Sequence, residues 1–402
     1  FEFEYSRTQL KNFWKYHYLI TKILNKRWQR SYRNEGINKG YVEINSQELQ
    51  KVFGQSTFNG KKQWWYLRIR KDLKDWGIIE YYSNNYYDGE SVKGVSLYRL
   101  AKRFYQMDYQ LLPLEKDLSE KIIQKRNQKA YKGYVGELLN ILNCSVNIDE
   151  DKALRYLHQC FTGDINIPSK NYKGNREKYT RNKLNVLKIT DGDWSFTRDD
   201  KTRRIFNTLT SLLKQIRQFV NINNKPIIEL DIANSQPLIF ILLIYKYLDK
   251  YQMQPSADIS KYIQLCETGS LYDFILSHLK SKNLVEDNFN KGKFKGDFFA
   301  RIFFSTEKRR YKWRTEFDLL FPTVGKIITY YKRNSHADLA INLQREESSI
   351  MIDTVSKRLL RANNHEFFNL HDAIYTTSDY YDITKNIIRD AFKEKGLKPL
   401  IR

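Results

Sequence analysis

A strand-like apolar run that stops at an aspartate constrains the fold of this chain most. The stretch KPIIELDIANSQPLIF at 225–240 is apolar up to Asp231, breaks into polar residues, and becomes apolar again from Pro237. A second stretch, EFFNLHDAIYTT at 366–377, has the same character around Asp372. Both predict buried strands that deliver a carboxylate at one end. Taken singly, each aspartate has an ordinary alternative, a helix cap for the first and a hairpin-turn residue for the second.

The overall charge narrows the kind of partner. The chain has 402 residues, enough for two or three domains, and its 69 Lys and Arg against 46 Asp and Glu give a formal charge of +23. Basic residues recur along the whole length, and aromatic residues make up 15% of the chain. This favours nucleic acid, whose phosphates pair with cations and whose bases stack on aromatic rings. The alternative is a basic protein without a polyanionic partner.

Cysteine usage and hydropathy bear on the compartment. Cys144, Cys160 and Cys266 have no spacing typical of a disulfide or a metal site, and we expect them to be structural in a reducing compartment. The longest apolar run, Pro237 to Tyr245, is too short to span a bilayer. No secretory signal is evident, so we expect an intracellular protein without a membrane partner.

Residues 1–110 form the first predicted domain. Its patterns predict a basic helix over 8–30, a short helix at 43–54 capped by Asn45 and Gly54, and a second basic helix in GKKQWWYLRIRKDLKDWG at 60–77. Two β-rich runs then flank an Asp88-Gly89 turn.

This order of helix, basic helix and β-hairpin resembles a winged helix-turn-helix domain over about residues 40–100. The resemblance implies a DNA contact through the basic helix, with Lys62, Arg70 and Lys74 on one face toward phosphates or base edges. The alternative is a protein-docking module whose basic face is solvated.

The rest of the chain has two predicted parts. Residues 111–200 are helical at first and then contain a basic, mobile loop over 163–183. The part from 201 onward is predicted to comprise helix over 202–220, strand up to Asp231, a helix with Pro237 in its first turn, helices across 261–360, and a return to strand around Asp372. The predicted class is therefore α+β.

A stripe of cations and aromatic rings lies between the two aspartates. NKGKFKGDFFARIFFS at 290–305 places Lys291, Lys295, Phe299 and Phe303 at four-residue spacing, which is one face of a helix. Cations so placed can hold a triphosphate, and an aromatic ring can stack on a base. The alternative is an amphipathic helix with a solvated basic end.

Paired carboxylates at strand ends suit a cation site. Phosphoryl transfer needs charge neutralised at the phosphate and the nucleophile held in line, and two divalent ions do both. Mg²⁺ prefers carboxylate oxygen and keeps several waters, so two aspartates suffice as anchors. We therefore predict that Asp231 and Asp372 hold two Mg²⁺ ions, with Mn²⁺ as the alternative ion.

The ordered set of motifs over about residues 201–385 resembles family A DNA polymerases and the related phage-type single-subunit RNA polymerases. LDIANSQPLI is similar to the first palm motif, which implies Asp231 and the Ile232 carbonyl as metal ligands. NLHDAIYTT is similar to the family's His-Asp hairpin, which implies Asp372 as the second metal ligand and His371 near the primer end.

The resemblance extends to the residues that would bind the nucleotide. The family's fingers helix carries a basic residue, a lysine four residues later and an aromatic eight residues after that, and Lys291, Lys295 and Phe303 match this spacing. The resemblance implies that the two lysines hold the triphosphate and that Phe303, with Phe299, stacks on the incoming base. Phe303-Phe304 departs from the family's Tyr-Gly or Phe-Gly at this point.

Four further residues are predicted contacts. LAINLQREESSIMIDTVSKRL at 339–359 is similar to a palm helix, and Gln344 takes the place of the family's duplex-contacting Gln. Gln236 stands where the DNA enzymes use a bulky residue against the ribose 2′-hydroxyl, which favours deoxynucleotides. Arg203 and Arg204 are candidate phosphate or primer contacts.

The predicted architecture is a winged-helix-like domain over 1–110, a helical region over 111–200 that is a candidate thumb, and a palm and fingers domain over 201–402 with fingers about 251–335. The implied function is synthesis of DNA from nucleoside triphosphates on a template and primer, in replication of a phage, plasmid or other mobile element. The expected location is the cytoplasm of a bacterial or phage-infected cell. Three alternatives stay open: an RNA polymerase or primase on the same palm, a non-catalytic DNA-binding initiator or repressor, and a nuclease or recombinase.

Overall fold

The computed structural model describes residues 11–29, 41–58, 60–87, 92–104, 107, 131–167, 172–286, 288–289, 291–305 and 311–402. The chain divides into two compact units. The first contains the described residues before position 131 together with those of 156–184, and the second contains 131–155 and the described residues of 185–402.

The first unit is built from short helices and antiparallel strands. Its elements are α1 (Phe13–Gln29), β1 (Val42–Glu43), α2 (Ser46–Phe53), β2 (Gln55–Phe58), β3 (Lys61–Trp64), α3 (Trp65–Asp75), β4 (Ile79–Tyr87) and β5 (Val92–Leu100). Strand β5 lies between β1 and β4, and β2 pairs with β3 in a separate hairpin. The Asp88-Gly89 turn predicted between β4 and β5 lies outside the described residues.

Helix α2 has the caps that the sequence predicts. The Asn45 side chain accepts a hydrogen bond of 2.8 Å from the Gln47 N–H, which satisfies one of the donors left open at the start of a helix. Gly54 ends the helix with a φ of 68°, a value that glycine adopts without strain. The buried face of α3 is also as predicted, since Trp65, Ile69 and Leu73 pack into the core of this unit.

Helix α3 begins later than predicted. Lys61–Trp64 pair with Gln55–Phe58, and the helix starts only at Trp65. Lys62 therefore lies on a strand, and the prediction that it shares a helix face with Arg70 and Lys74 is wrong. The physical reason is a turn at Gly60, whose φ is 74°.

The second unit holds a small central sheet and a large set of helices. Its elements, counting two helices that also reach into the first unit, are α4 (Tyr134–Ser145), β6 (Val146–Ile148), α5 (Glu150–Thr162), α6 (Arg176–Thr190), β7 (Phe196–Arg198), β8 (Ile205–Asn207), β9 (Val220–Ile222), β10 (Lys225–Pro226), β11 (Ile228–Asp231), α7 (Ser235–Lys250), α8 (Ala257–Glu267), α9 (Leu271–Ser281), α10 (Lys291–Phe298), α11 (Lys312–Leu320), α12 (Pro322–Tyr330), α13 (Asp338–Ile350), α14 (Lys357–Arg361), β12 (Phe367–Leu370), β13 (Ala373–Thr376) and α15 (Tyr381–Lys393).

The central sheet has the order β11-β13-β12, with both pairs antiparallel. Strands β12 and β13 are joined by the two-residue turn His371-Asp372. The last residues of the chain cover the other edge of β11, because Asp231 and Arg402 exchange backbone hydrogen bonds of 3.0 and 2.9 Å. Both predicted strand-end aspartates thus belong to one sheet.

Helix α7 anchors the sheet in the core of the second unit. It follows β11 after a short break and is buried almost all round, from Ser235 to Ile244. Pro237 lies in its first turn, where a missing N–H leaves no hydrogen bond unmade. The helix packs against α8, α12 and α13, so that the end of β11 is held by a rigid layer.

The predicted α+β class is confirmed, but the helix predicted over 202–220 is wrong. This segment contains β8 and two 3₁₀ turns, Thr208–Ser211 and Lys214–Phe219. The Asn207 N–H donates to Thr210 Oγ1 at 3.0 Å, and the Thr210 N–H donates to Asn207 Oδ1 at 3.3 Å. This reciprocal cap ends the strand and starts the first turn, since short polar side chains compete with helical backbone bonds.

The loop predicted over 163–183 is shorter than expected, because α6 already begins at Arg176. In the part of the chain that the structure describes, no helix is long and apolar enough to cross a membrane.

Candidate active site

Asp231 and Asp372 lie at neighbouring strand ends of the central sheet. Asp231 ends β11 and is paired with Ala373, the first residue of β13, and Asp372 immediately precedes Ala373. Opposed Cα atoms of antiparallel strands are about 4.5–5.5 Å apart, so the two aspartates are close neighbours although they are distant in sequence. The structure therefore brings together the two residues on which the sequence hypothesis depends.

Both carboxylates are in surroundings that disfavour their charge. Burial raises the pKa of Asp231 to about 6, with a further contribution from the negative charge of Asp372 and an opposing one from Lys295. Burial also raises the pKa of Asp372, while the nearby Arg204 guanidinium opposes the rise. Like charges held together in a partly buried place are relieved by a cation between them.

Unpaired polar groups border the two aspartates. Ser235 Oγ, Asn234 Nδ2 and His371 Nδ1 are buried without a hydrogen-bond partner in the described structure. The Ser235 hydroxyl is near enough to Asp372 to lower the pKa of that carboxyl, yet its geometry does not complete a bond. Buried polar atoms are normally paired, so a group of unpaired ones marks a place where water or a ligand is held.

The Ile232 carbonyl faces the same side as Asp372. Asp231 and Ala233 direct their backbone groups to Arg402 and Leu400 at the outer edge of β11, and Ile232 lies opposite Ile401. Alternate residues of a strand direct their backbone groups to opposite edges, so the Ile232 carbonyl points to the β13 side. This direction is compatible with the ligand role that the resemblance implies.

Glu347 joins three elements of the second unit beside Asp372. Its carboxylate accepts two hydrogen bonds from Arg204, from Nε and Nη2 at 2.8 Å each, and a third from Gln236 Nε2. The side chain is only 1% exposed. Burial raises its pKa to about 7, because the charge of Arg204 does not fully compensate burial and the repulsion from Asp372.

His371 occupies the first position of the β12–β13 turn in the left-handed region, with a φ of 59°. Its ring is mostly buried and lies edge-on to the exposed ring of Phe206, with 5.5 Å between ring centroids. Burial, together with the charges of Arg204 and Arg217, lowers its pKa to about 4. The imidazole is therefore neutral near pH 7.

The cation and aromatic stripe divides into two parts. Lys295 is exposed on α10, and its charge, like that of Lys214, is near enough to Asp231 to lower the pKa of that carboxyl. Its Nζ lies 5.6 Å from the ring centroid of Tyr272, whose pKa is raised by burial and also by the charge of Asp372. Lys291 begins α10, and its side chain lies outside the described structure.

The aromatic half of the stripe belongs to the core. Phe303 is 0% exposed and packs against Phe240 and Phe298, with centroid distances of 5.3 and 5.2 Å. Phe299 is half-buried and stacks on Phe304 at 5.6 Å. The structure thus does not bring Phe303 to the carboxylates, and Phe299 offers only part of its ring.

Two other predicted contacts are not drawn to the pair. Gln344 lies partly exposed on α13, about one turn before Glu347. Arg203 is exposed in the turn between β7 and β8, with a φ of 62°. Arg204, by contrast, forms an ion pair with Glu347, and Gln236 donates a hydrogen bond to the same carboxylate.

The basic face of α3 in the first unit is also divided. Arg70 is half-buried and lies 4.2 Å from the ring centroid of Tyr81. Lys74 is exposed on the same helix, 5.2 Å from that ring, and Lys62 is exposed on β3. Lys62 and Lys74 are therefore presented to solvent, whereas Arg70 contributes to packing.

The chemistry of the donor set fits a hard cation. Among the described residues no group of three or more His, Cys, Asp or Glu side chains forms a complete metal-ligand set. Two carboxylates, one carbonyl and a hydroxyl without a partner are nevertheless what Mg²⁺ uses when water completes its shell. The raised pKa of Asp231 and the unpaired polar atoms around it are consistent with such an ion.

Three residues of this region escaped the sequence analysis. Glu347 is 1% exposed on a helix that also carries Asp338 and Glu346, so only its place in the apolar periodicity of α13 signals burial. Tyr272 and Phe206 carry no motif, and no local signal points to them.

Comparison with protein-family models and with curated proteins gives no match for this chain.

Proposed function

We propose that this protein is a template-directed nucleotidyltransferase, a small DNA polymerase that uses Asp231 and Asp372 as anchors for divalent cations. The observation that carries the proposal is the pairing of these two carboxylates at adjacent strand ends, where burial and mutual repulsion raise the pKa of Asp231 to about 6. A purely structural acid at such a position is normally neutralised by a basic partner.

The cation site would comprise Asp231, Asp372 and the Ile232 carbonyl, and Mg²⁺ or Mn²⁺ is the ion that this oxygen set suits. When bound, such ions supply positive charge to the reacting phosphate and lower the pKa of the attacking hydroxyl. The residues of the chain hold and orient the substrates around this point.

Lys295 is the residue best placed to hold the triphosphate. It is exposed, and it is close enough to Asp231 to lower the pKa of that carboxyl. An anionic triphosphate near the carboxylates needs such a cation, because the two aspartates alone would repel it. Phe303 has no part in this step.

Gln236 and His371 shape the space next to the carboxylates. The Glu347 carboxylate, itself held by Arg204, fixes the Gln236 amide, which is the candidate contact for the nucleotide sugar. His371 is neutral near pH 7 and sits beside the exposed Phe206 ring, a suitable surface for the terminal base pair of a primer.

The first unit supports a role in holding DNA. Its two helices, separated by the β2–β3 hairpin and followed by β4 and β5, resemble a winged helix, and Lys62 and Lys74 project into solvent from β3 and α3. A palm at the central sheet, fingers at α8–α12 and a DNA-binding front domain together suit replication of a phage, plasmid or mobile element.

Primer extension tests the proposal. The wild-type protein, a primed DNA template, Mg²⁺ and deoxynucleotides should give extended products, while Asp231→Asn and Asp372→Asn should each reduce the rate by at least about 10³-fold. Asp249→Asn, an exposed aspartate of the same unit, is the control and should retain full activity. Extension by either site variant at the control rate would exclude the carboxylate pair as the catalytic centre.

A further inference from the structure

A basic pocket on the second unit lies outside the candidate active site. It has a volume of about 420 Å³, and its lining includes Lys201, Tyr330, Tyr331, Arg333, Asp338 and Arg345. Binding sites for small molecules or single nucleotides span about 300–1,000 Å³, so one base with its phosphate fits. None of Asp231, Asp372 and Glu347 lines this pocket.

The charge of the pocket suits an anion. Three cationic side chains, those of Lys201, Arg333 and Arg345, and one carboxylate, that of Asp338, are among the lining residues. The Arg345 Nε donates a hydrogen bond of 2.7 Å to the Lys201 carbonyl, which fixes the loop carrying Lys201 against α13. Arg333 is exposed at the end of α12, where its guanidinium can reach a phosphate.

Tyrosine rings line and extend one wall of the pocket. The Tyr330 ring contacts those of Tyr247, Tyr251 and Tyr331, with centroid distances of 5.0, 5.8 and 5.2 Å. Arg333 lies 4.3 Å from the Tyr330 ring centroid, and Tyr251 is 44% exposed. The cluster therefore presents the exposed ring of Tyr251 and the partly exposed rings of Tyr330 and Tyr331 beside a cation.

We propose that this pocket binds single-stranded nucleic acid, with a base against the tyrosine cluster and its phosphate at Arg333 and Lys201. Stacking needs a base whose face is free, and a single strand offers that face whereas a duplex does not. Free inorganic anions would use the cations but not the rings. The proposal goes beyond the polymerase function, since binding here requires neither the carboxylate pair nor nucleotide chemistry.

Helix α13 connects this pocket with the candidate active site. The pocket residue Ile341 and the buried Glu347 lie on the same helix, and at 1.5 Å per residue they are roughly 9 Å apart along its axis. Helix α13 is therefore common to the pocket and to the Glu347 region.

Binding of a fluorescent oligothymidylate in EDTA, followed by anisotropy, tests the pocket without catalysis. Arg333→Glu should weaken binding by about tenfold and make log K less dependent on log salt by about 0.7 or more. Arg333→Lys should keep most of the affinity. The matched control Arg361→Glu has the same change of charge at an exposed arginine outside the pocket and should weaken binding much less.

Photocrosslinking gives a second readout, the position of the bound base, which long-range charge does not determine. An oligonucleotide with 5-iodouracil should crosslink to Tyr330, Tyr331 or Tyr251, and Arg333→Glu should reduce the yield. The proposal is overturned if Arg333→Glu and Arg361→Glu weaken binding equally, or if the crosslinks lie elsewhere. The binding assay contains EDTA and no nucleotide, so its result does not depend on primer extension, and failure of the polymerase proposal and failure of this one are distinguishable.

Discussion

At the scale of single residues, the acidic side chains of the candidate site lie in surroundings that disfavour their charged forms. Asp231 and Asp372 are both harder to ionise than free aspartates, and Glu347 beside them has a pKa of about 7 in spite of its bonds with Arg204. Such arrangements lower stability and persist where a ligand restores the balance. The loss of stability and its relief by a bound cation can both be measured.

Asp231→Asn should stabilise the protein in a pH-dependent way. The pKa of Asp231 is about 6 in the folded chain and near 4 in the unfolded one, so the folded state binds more protons between these values. Stability contributed by this group therefore falls as pH rises from 4 to 6 and stays low above that. Asp231→Asn should raise the thermal midpoint at pH 7.5 by about 2–4 °C, which allows for solvent screening.

The same substitution should give no gain at pH 4, where the aspartate is protonated in the folded state. Asp249→Asn serves as the exposed control. Thermal unfolding that shows an equal effect of Asp231→Asn at pH 4 and pH 7.5 would contradict the burial and repulsion described for this carboxyl.

Glu347 and Arg204 should behave as a coupled pair. Glu347→Gln leaves the guanidinium facing a neutral amide in a buried place, and we expect the loss of this pairing to outweigh the relief of a buried carboxylate, so that the free energy of unfolding falls by about 2–4 kcal/mol. The combination of Glu347→Gln with Arg204→Gln should cost less than the sum of the two single changes. Denaturant unfolding of the four proteins measures the coupling, and additive losses would show that the pair does not interact as the distances indicate.

At the scale of elements, α10 and the turn that follows it have two distinct roles. Lys295→Ala should raise the KM for nucleotide by about tenfold and leave the thermal midpoint unchanged, because the side chain is exposed. Phe303→Leu should lower the free energy of unfolding by about 1–2 kcal/mol with little change in KM, because the ring is fully buried. Steady-state kinetics and thermal unfolding of both variants separate the two roles. An increase in KM for Phe303→Leu without one for Lys295→Ala would contradict this assignment of roles.

Helix α3 gives a parallel contrast in the first unit. Lys74→Glu should weaken binding of duplex DNA by about fivefold without loss of stability, since the side chain is exposed. Arg70→Ala should instead lower the thermal midpoint, since it removes the contact with the Tyr81 ring. Equal DNA affinity of Lys74→Glu and wild type would remove α3 from the proposed DNA contact.

The sequence predicts best those elements that local chemistry decides. Asn45 and Gly54 delimit α2, and the apolar runs before Asp231 and around Asp372 form strands of one sheet. The late start of α3 also has a local signal that the helical periodicity outweighed, because Asn-Gly at 59–60 is typical of a hairpin.

Other features depend on partners that are far away in the chain. Four-residue spacing places Phe303 on one stripe with Lys295, but the rings of Phe240 and Phe317 from other helices decide that it is core. Glu347 becomes part of the site only because Arg204 and Gln236 meet it from two other segments. A periodic pattern identifies a helix face and cannot tell which neighbour covers it.

At the scale of the whole molecule, some of the cations behind the formal charge of +23 lie at particular surfaces. The first unit presents Lys62 and Lys74, and the second presents the pocket with Arg333 and, separately, the carboxylate pair with Lys295. A non-catalytic DNA-binding protein would need the cations alone. The carboxylate pair is a feature that such a protein would have no use for, so a test of cation binding at this pair decides between the two classes.

Calorimetric titration with Mn²⁺ tests this pair most directly. Wild-type protein should bind the ion, Asp231→Asn and Asp372→Asn should each weaken binding by at least about tenfold, and the double variant should bind at least as weakly as either single one, because each change removes a ligand of the same site. Asp249→Asn should bind as the wild type does. Binding of wild-type strength in either single site variant would contradict the account.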